Sequence, residues 1–289
     1  MVSVSQHEPI VHGIGIGLRQ AIAEPLLSDS PQRTLPELQF LEIHPENYVQ
    51  RGGRFRAMLE RARGRWPILT HGLSLGLGAV EPAEPQYVGM LKRFLAEVKA
   101  PWHSEHLCFS SADGVMLHDL MPLPFTRDAA RVAAARIREL RDALECPIAV
   151  ENISYYAHAG PPELDEVDFL LEVLEQSDAK LLLDVNNIYV NSKNHGLDAQ
   201  RFVERMPAER VVQIHVAGHS RRADGTLIDT HGAAVHDDVY ALLELALARV
   251  GRVPVLLERD QSFPDFAELQ SEIARLHALY VRVTGATWP

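Results

Sequence analysis

The chain has 289 residues, 46% apolar and 23% charged, and a net charge of −11 from 39 acidic against 28 basic residues. That composition excludes disordered and fibrous classes. The acidic excess argues against a nucleic-acid platform, which shows a basic stripe. The two cysteines, Cys108 and Cys146, exclude a disulfide scaffold and a thiolate-rich metal cluster, and both read as small buried apolar residues.

Short apolar runs alternate with longer amphipathic stretches along the chain. The runs at 10–17, 38–43, 67–71, 101–107, 147–151, 180–185, 211–217 and 253–258 are rich in Val, Ile and Leu, as strands covered on both faces must be. Between them, 85–99, 127–144, 164–176, 198–206, 236–249 and 264–283 carry apolar residues at helical spacing. Asp128 and Asp198 stand where early-turn acids or caps belong. The stretches 77–87 and 158–166 read as loops from their Pro and Gly content.

Eight strands alternating with helices predict an α/β fold, a closed (β/α)8 TIM barrel with 1–289 as a single domain. The alternative is an open doubly wound sheet. Its phosphate-binding turn needs G-x-G-x-x-G, whereas Gly13, Gly15 and Gly17 give GIGIG, which reads as a tight strand. No run reaches the roughly 18 apolar residues of a membrane span, and the first residues lack the pattern of a signal peptide. The expectation is a cytoplasmic protein with neither membrane nor nucleic acid as partner.

Barrel active sites lie at the carboxyl ends of the strands. Six consecutive strands end in His71, His106, Glu151, Asp184, His215 and Glu258, and Asn187, Asp229 and His231 follow in the next loops. One polar residue at a strand end is an ordinary solubiliser. Six in succession crowd charge around one mouth, and cations resolve that repulsion. A mixed imidazole and carboxylate set without thiolate suits zinc, iron or manganese. The candidates outnumber the ligands of one catalytic ion, so two or three ions are expected, with Glu151 as the best-placed bridge. Glu42 and His44 point the same way, with Glu46 and Asn47 just beyond, and this cluster is expected to line the mouth. His103 and His106 fall on opposite faces of their strand. His195 and His219 are read as loop residues near the mouth, whereas His7, His158, His236 and His277 read as tail, loop or helix-surface residues. No G-x-S-x-G turn or P-loop is present.

The segments HPEN at 44–47, HG at 71–72, SEHL at 104–107, VEN at 150–152, LDVNN at 183–187, IHVAGH at 214–219, DTHG at 229–232 and LLER at 256–259 together resemble the multinuclear iron-dependent oxidative enzymes related to the methanobactin-forming oxidase. The ligand order is also similar to the xylose-isomerase-like metal barrels. The resemblance implies a barrel holding two or three irons of mixed Fe(II)/Fe(III) state. It implies one iron held by His71, His106 and Glu151, and a second by Glu151, Asp184, His215 and Glu258. A third, more labile ion would lie with Asn187, Asp229 and His231. Glu151, Asp184 and His215 are then the residues expected to carry catalysis. The implied reaction is dioxygen-dependent oxidation of cysteine in a ribosomally made precursor peptide, with a separate partner protein holding the peptide's leader. The competing expectation is a divalent-metal hydrolase or isomerase on the same barrel.

Overall fold

A computed structural model describes residues 11–28, 35–79, 81–112 and 115–287; His7 lies outside them. Eight parallel strands close into a barrel in the order β1 (Ile14–Gly17), β12 (Val255–Glu258), β9 (Val211–Ala217), β8 (Lys180–Asp184), β7 (Ile148–Glu151), β4 (His103–His106), β3 (Ile68–Gly72) and β2 (Leu38–Ile43). This is the (β/α)8 fold expected. The helices are α1 (Gln20–Leu26), α2 (Arg54–Arg63), α3 (Pro85–Val98), α4 (Arg127–Leu144), α5 (Glu166–Ser177), α6 (Val185–His195), α7 (Ala199–Arg205), α8 (Asp237–Val250) and α9 (Phe266–Thr284).

Strand alternation sorts the side chains into two cores. Ile14, Ile16, Leu41, Ile43, Val150, Leu181, Leu183, Ile214, Val216 and Leu257 join the core shared with the helices. Phe40, Leu69, Trp102, Ala149, Leu182 and Leu256 form a separate cluster inside the barrel. Each fully buried side chain of this size contributes about 1.5–3 kcal/mol. A Cβ on Gly15 would lie 2.3 Å from the Phe40 ring, so the bare backbone of β1 makes room for Phe40 in the interior.

The helix starts follow local chemistry. Thr126, Asp165, Asp198 and Asp265 cap α4, α5, α7 and α9 through their side chains, and Asp128 is an early-turn acid. Three helices escaped the periodicity. The seven-residue α1 contains Pro25, α2 is dominated by arginine, and α6 begins Val-Asn-Asn with most of its early residues buried. The sixth strand therefore ends at Asp184 and not at 185, because Asp184 itself caps α6 by accepting from the Asn187 amide at 2.6 Å. Two hairpins also stand at the mouth: β5 (Cys108–Ala112) with β6 (Val115–Pro122), after β4, and β10 (His219–Arg221) with β11 (Leu227–Asp229), after β9.

Candidate metal centre

Above the apolar interior layer the staves turn polar. Glu42, His71, Ser104, His106, Glu151, Asp184, Gln213, His215 and Glu258 come from seven strands, and all are buried. The register brings them level: His106 lies opposite Glu151, Asp184 opposite His215, and Gly17 of β1 opposite Glu42. Trp102 of the lower layer donates from Nε1 to Gln213 Oε1 at 3.2 Å, joining the two layers.

The histidines are oriented from behind. His71 Nδ1 lies 2.9 Å from Ser104 Oγ, which donates onward to the Thr70 carbonyl. His106 Nδ1 lies 3.2 Å from the Gly72 carbonyl. His215 Nε2 lies 3.1 Å from Glu42 Oε2. Ser104 Oγ, the Gly72 carbonyl and Glu42 Oε2 can each accept from these outer nitrogens, and His215 Nε2 also lies 3.0 Å from Gln213 Nε2. When such a ring is neutral and carries its proton there, its inner nitrogen presents a lone pair, the tautomer that metal-binding histidines adopt. Those inner atoms converge. Nε2 of His71 and of His106 are 3.2 Å apart, and Glu151 Oε2 lies 3.0 and 3.5 Å from them. A proton on His106 lets that ring donate to His71 or to Glu151, and a metal cation bound between the three groups could take the proton's place. His215 Nδ1 meets Glu258 at 3.2 Å.

Two groups have ligand atoms all within 4.8 Å of one another: His71, Glu151 and His215, and Glu151, Asp184, His215 and Glu258. Glu151 and His215 belong to both. Buried oxygens of Glu42, Glu151, Asp184, Asn187 and Glu258, and Nδ1 of His215, lack hydrogen-bond partners. Unpaired buried polar atoms are costly, and four of the residues that carry one, Glu151, Asp184, His215 and Glu258, bring ligand atoms within 4.8 Å of one another, so the donor set fits transition-metal ions. The ionisable groups feel the same crowding. Burial, reinforced by the charges of Glu151 and Asp229, pushes Asp184 well above the usual carboxylate range, and burial also raises Glu151. Burial opposes ionisation of Glu258 too, but His231 and His215 hold it well below that range. His106 is pushed down by burial but lifted more by Glu151 and Glu105, to about 9.

A third group sits at the rim. His231 Nε2 lies 2.9 Å from Asp229 Oδ2, and its Nδ1 lies 3.0 Å from Asp260 Oδ2 and 3.6 Å from Glu258. His231, Glu258 and Asp260 place ligand atoms within 4.8 Å. Asn186 donates to Asp229 at 2.7 Å, while the Asn187 amide stands beside Glu151 at 3.4 Å and the Asn152 carbonyl at 3.1 Å. Asn152 exchanges two hydrogen bonds with the Asp184 backbone, at 2.9 and 3.0 Å, tying the end of β7 to the start of α6.

The structure thus draws together His71, His106, Glu151, Asp184, His215 and Glu258, with Asn187 against Glu151 and the pair Asp229 and His231 at the rim. Glu42 lies inside the barrel, and His44 packs against it, its Nδ1 2.8 Å from the His71 carbonyl. His103 faces away, toward Thr70. His195 closes α6 and stacks on Tyr155, His219 opens β10 and reaches Asn186, and His236 caps α8. The sequence reading missed Gln213, which shares a strand face with His215, and also Arg19 and Asp260. Cys108 and Cys146 are buried as expected.

The chain is a closed parallel (β/α)8 barrel whose strand ends carry groups of His, Asp and Glu that could hold a metal ion. The fold is similar to the xylose isomerase domain protein of Planctomyces limnophilus (TM-score 0.58, 15% identity, 96% of this chain and 100% of that one). It is also similar to 3-keto-D-glucoside 4-epimerase from E. coli (TM-score 0.61, 14% identity, 92% and 99%). At these identities the likeness is one of fold. Residues 13–280 match the profile of the RiPP precursor modification enzymes MbnB/TglH/ChrH, and the chain belongs to that family, whose substrates are precursors of ribosomally made peptides. A UPF0276 protein of Pseudomonas aeruginosa is 44% identical over 272 residues, covering 94% of each chain. One from Neisseria gonorrhoeae is 44% identical over 269 residues, covering 92% of this chain and 95% of its own. Among the described residues no helix is long and apolar enough to cross a membrane.

Proposed function

We propose that this chain is a multinuclear iron enzyme that uses dioxygen to oxidise a cysteine of a precursor peptide. The observation that carries the reading is the grouping of His71, Glu151, Asp184, His215 and Glu258, four of them with an unpartnered buried atom, and of His106 beside His71 and Glu151, in a chain whose family modifies such precursors. His71, His106 and Glu151 hold one iron. Glu151, Asp184, His215 and Glu258 hold a second. Asn187, Asp229 and His231 hold a third, more loosely bound, because an amide is a weaker ligand than an imidazole. Bound iron supplies one-electron redox chemistry with dioxygen and the Lewis acidity that deprotonates a thiol.

The chain's own residues do the rest. Glu151 joins the first two positions into one unit. Glu42 and Ser104 hold the proton on the outer nitrogens of His215 and His71. The apolar layer of Phe40, Leu69 and Leu256 seals the floor against water. Leu73, Met121 and Tyr156 are exposed on the connections after β3, β4 and β7 and give a peptide apolar footholds around the mouth. A separate protein that holds the peptide's leader completes the proposal.

Oxygen uptake tests it. Iron-loaded protein with a cysteine-bearing precursor peptide, and its leader-binding partner, is expected to consume dioxygen, and the Cys→Ser peptide is expected to abolish uptake. Turnover under argon, or with zinc in place of iron, would overturn the reading in favour of a metal hydrolase or isomerase.

A further inference from the structure

Seven of the eight staves place a polar side chain in the upper ring. The eighth, β1, has Gly17 there. The vacancy is filled by the side chain of Arg19, since a Cβ on Gly17 would lie 2.7 Å from Arg19 Nη1. Arg19 Nε donates to Asp260 Oδ1 at 2.6 Å. Both terminal nitrogens, Nη1 and Nη2, are buried and have no hydrogen-bond partner. Nη2 stands 4.0 Å from Glu258 Oε1, beyond hydrogen-bond reach. A guanidinium serving only as counter-ion would turn its fork onto Glu258 or onto the orphaned Glu42 Oε1. Here Nε is anchored by Asp260, and Nη1 and Nη2 are buried without a hydrogen-bond partner.

We propose that Arg19 recognises a carboxylate of the substrate, gripping it with the paired N–H groups of Nη1 and Nη2. The fork matches a carboxylate in two-point geometry, and such charge-assisted pairs are the strong ones. Its anchoring to Asp260 orients it in advance, which lowers the entropic cost of binding. The carboxylate is either the C-terminus of the peptide or an acidic side chain next to the reacting cysteine. This rests on the reading of the substrate as a cysteine-bearing peptide.

Calorimetric binding to the iron-loaded protein under argon tests the assignment. The probes are N-acetylcysteine against its amide, acetyl-aspartyl-cysteinamide against its asparaginyl counterpart, and N-acetylalanine. At least one carboxylate probe is expected to bind about tenfold more tightly than its amide. Arg19→Gln removes that preference, and Arg19→Lys, which keeps the charge and loses the fork, keeps only part of it. Preference confined to N-acetylcysteine assigns the chain terminus, and preference for the aspartyl probe assigns a side chain. If thiols confer nothing but N-acetylalanine still binds about tenfold better to native protein than to Arg19→Gln, the cysteine reading fails and the carboxylate site stands. If neither carboxylate probe outbinds its amide, or the preference persists in Arg19→Gln protein with native melting temperature and metal content, the assignment is overturned.

Discussion

Glu42→Gln separates a ligand-orienting carboxylate from the ligands themselves. Glu42 is fully buried, and its Oε2 lies 2.6 Å from Gln213 Nε2 and 3.1 Å from His215 Nε2. The amide keeps the shape but removes the charge, so its oxygen accepts with about half the strength, and His215 becomes a poorer donor at Nδ1. Loss of such a supporting carboxylate typically weakens metal affinity 10- to 100-fold, or about 1.4–2.8 kcal/mol. Chelator competition on the iron-loaded protein measures it, with circular dichroism to show an unchanged fold. Affinity within about twofold of native, in folded protein, would refute the idea that Glu42 fixes the His215 tautomer for metal binding.

Further substitutions probe the frame around the site. Gly15→Ala drives a Cβ to 2.3 Å from the Phe40 ring and is expected to cost about 1–3 kcal/mol by overpacking; an unaltered urea midpoint would contradict the inner-layer description. Asn152→Ala strands the buried Asp184 N–H and carbonyl, with an expected loss of roughly 2–6 kcal/mol at about 1–3 per unpaired group, read by the same denaturation. Glu166, behind the site on α5, is lifted by burial to about 8, although Asn191 and Tyr155 bond its carboxylate. Its folded pKa lies above its unfolded value of 4.5, so the folded state binds the extra proton and stability falls as pH rises between the two. Glu166→Gln removes that slope. It is expected to match native protein near pH 4.5 and exceed it above pH 8, by up to roughly 5 kcal/mol. Parallel stability curves for the two proteins from pH 5 to 9 would refute this.

The barrel was legible because parallel strands buried on both faces are near-continuous apolar runs, and a polar residue ending each run is visible without knowing its neighbours. Glu151, Asp184, His215 and Glu258 stood out for that reason. Glu42 and Gln213 carried a weaker signal, two-residue spacing on the faces of Phe40 and His215, inside strands that otherwise read as apolar. Helix α6 was hidden because most of its early residues are buried and show no helical alternation, and its cap is the strand's own last residue, Asp184. Arg19 and Asp260 lie just past their strands, where no periodicity applies, and only the close approach at Gly17 reveals the position that Arg19 fills.

The central claim is that these imidazoles and carboxylates jointly hold several irons. Elemental analysis of anaerobically purified protein from iron-supplemented cells tests it most directly. Two to three irons per chain are expected, falling to one or none in Glu151→Ala as the shared ligand is lost. Native protein with no bound transition metal, or Glu151→Ala with its full iron content, would contradict it.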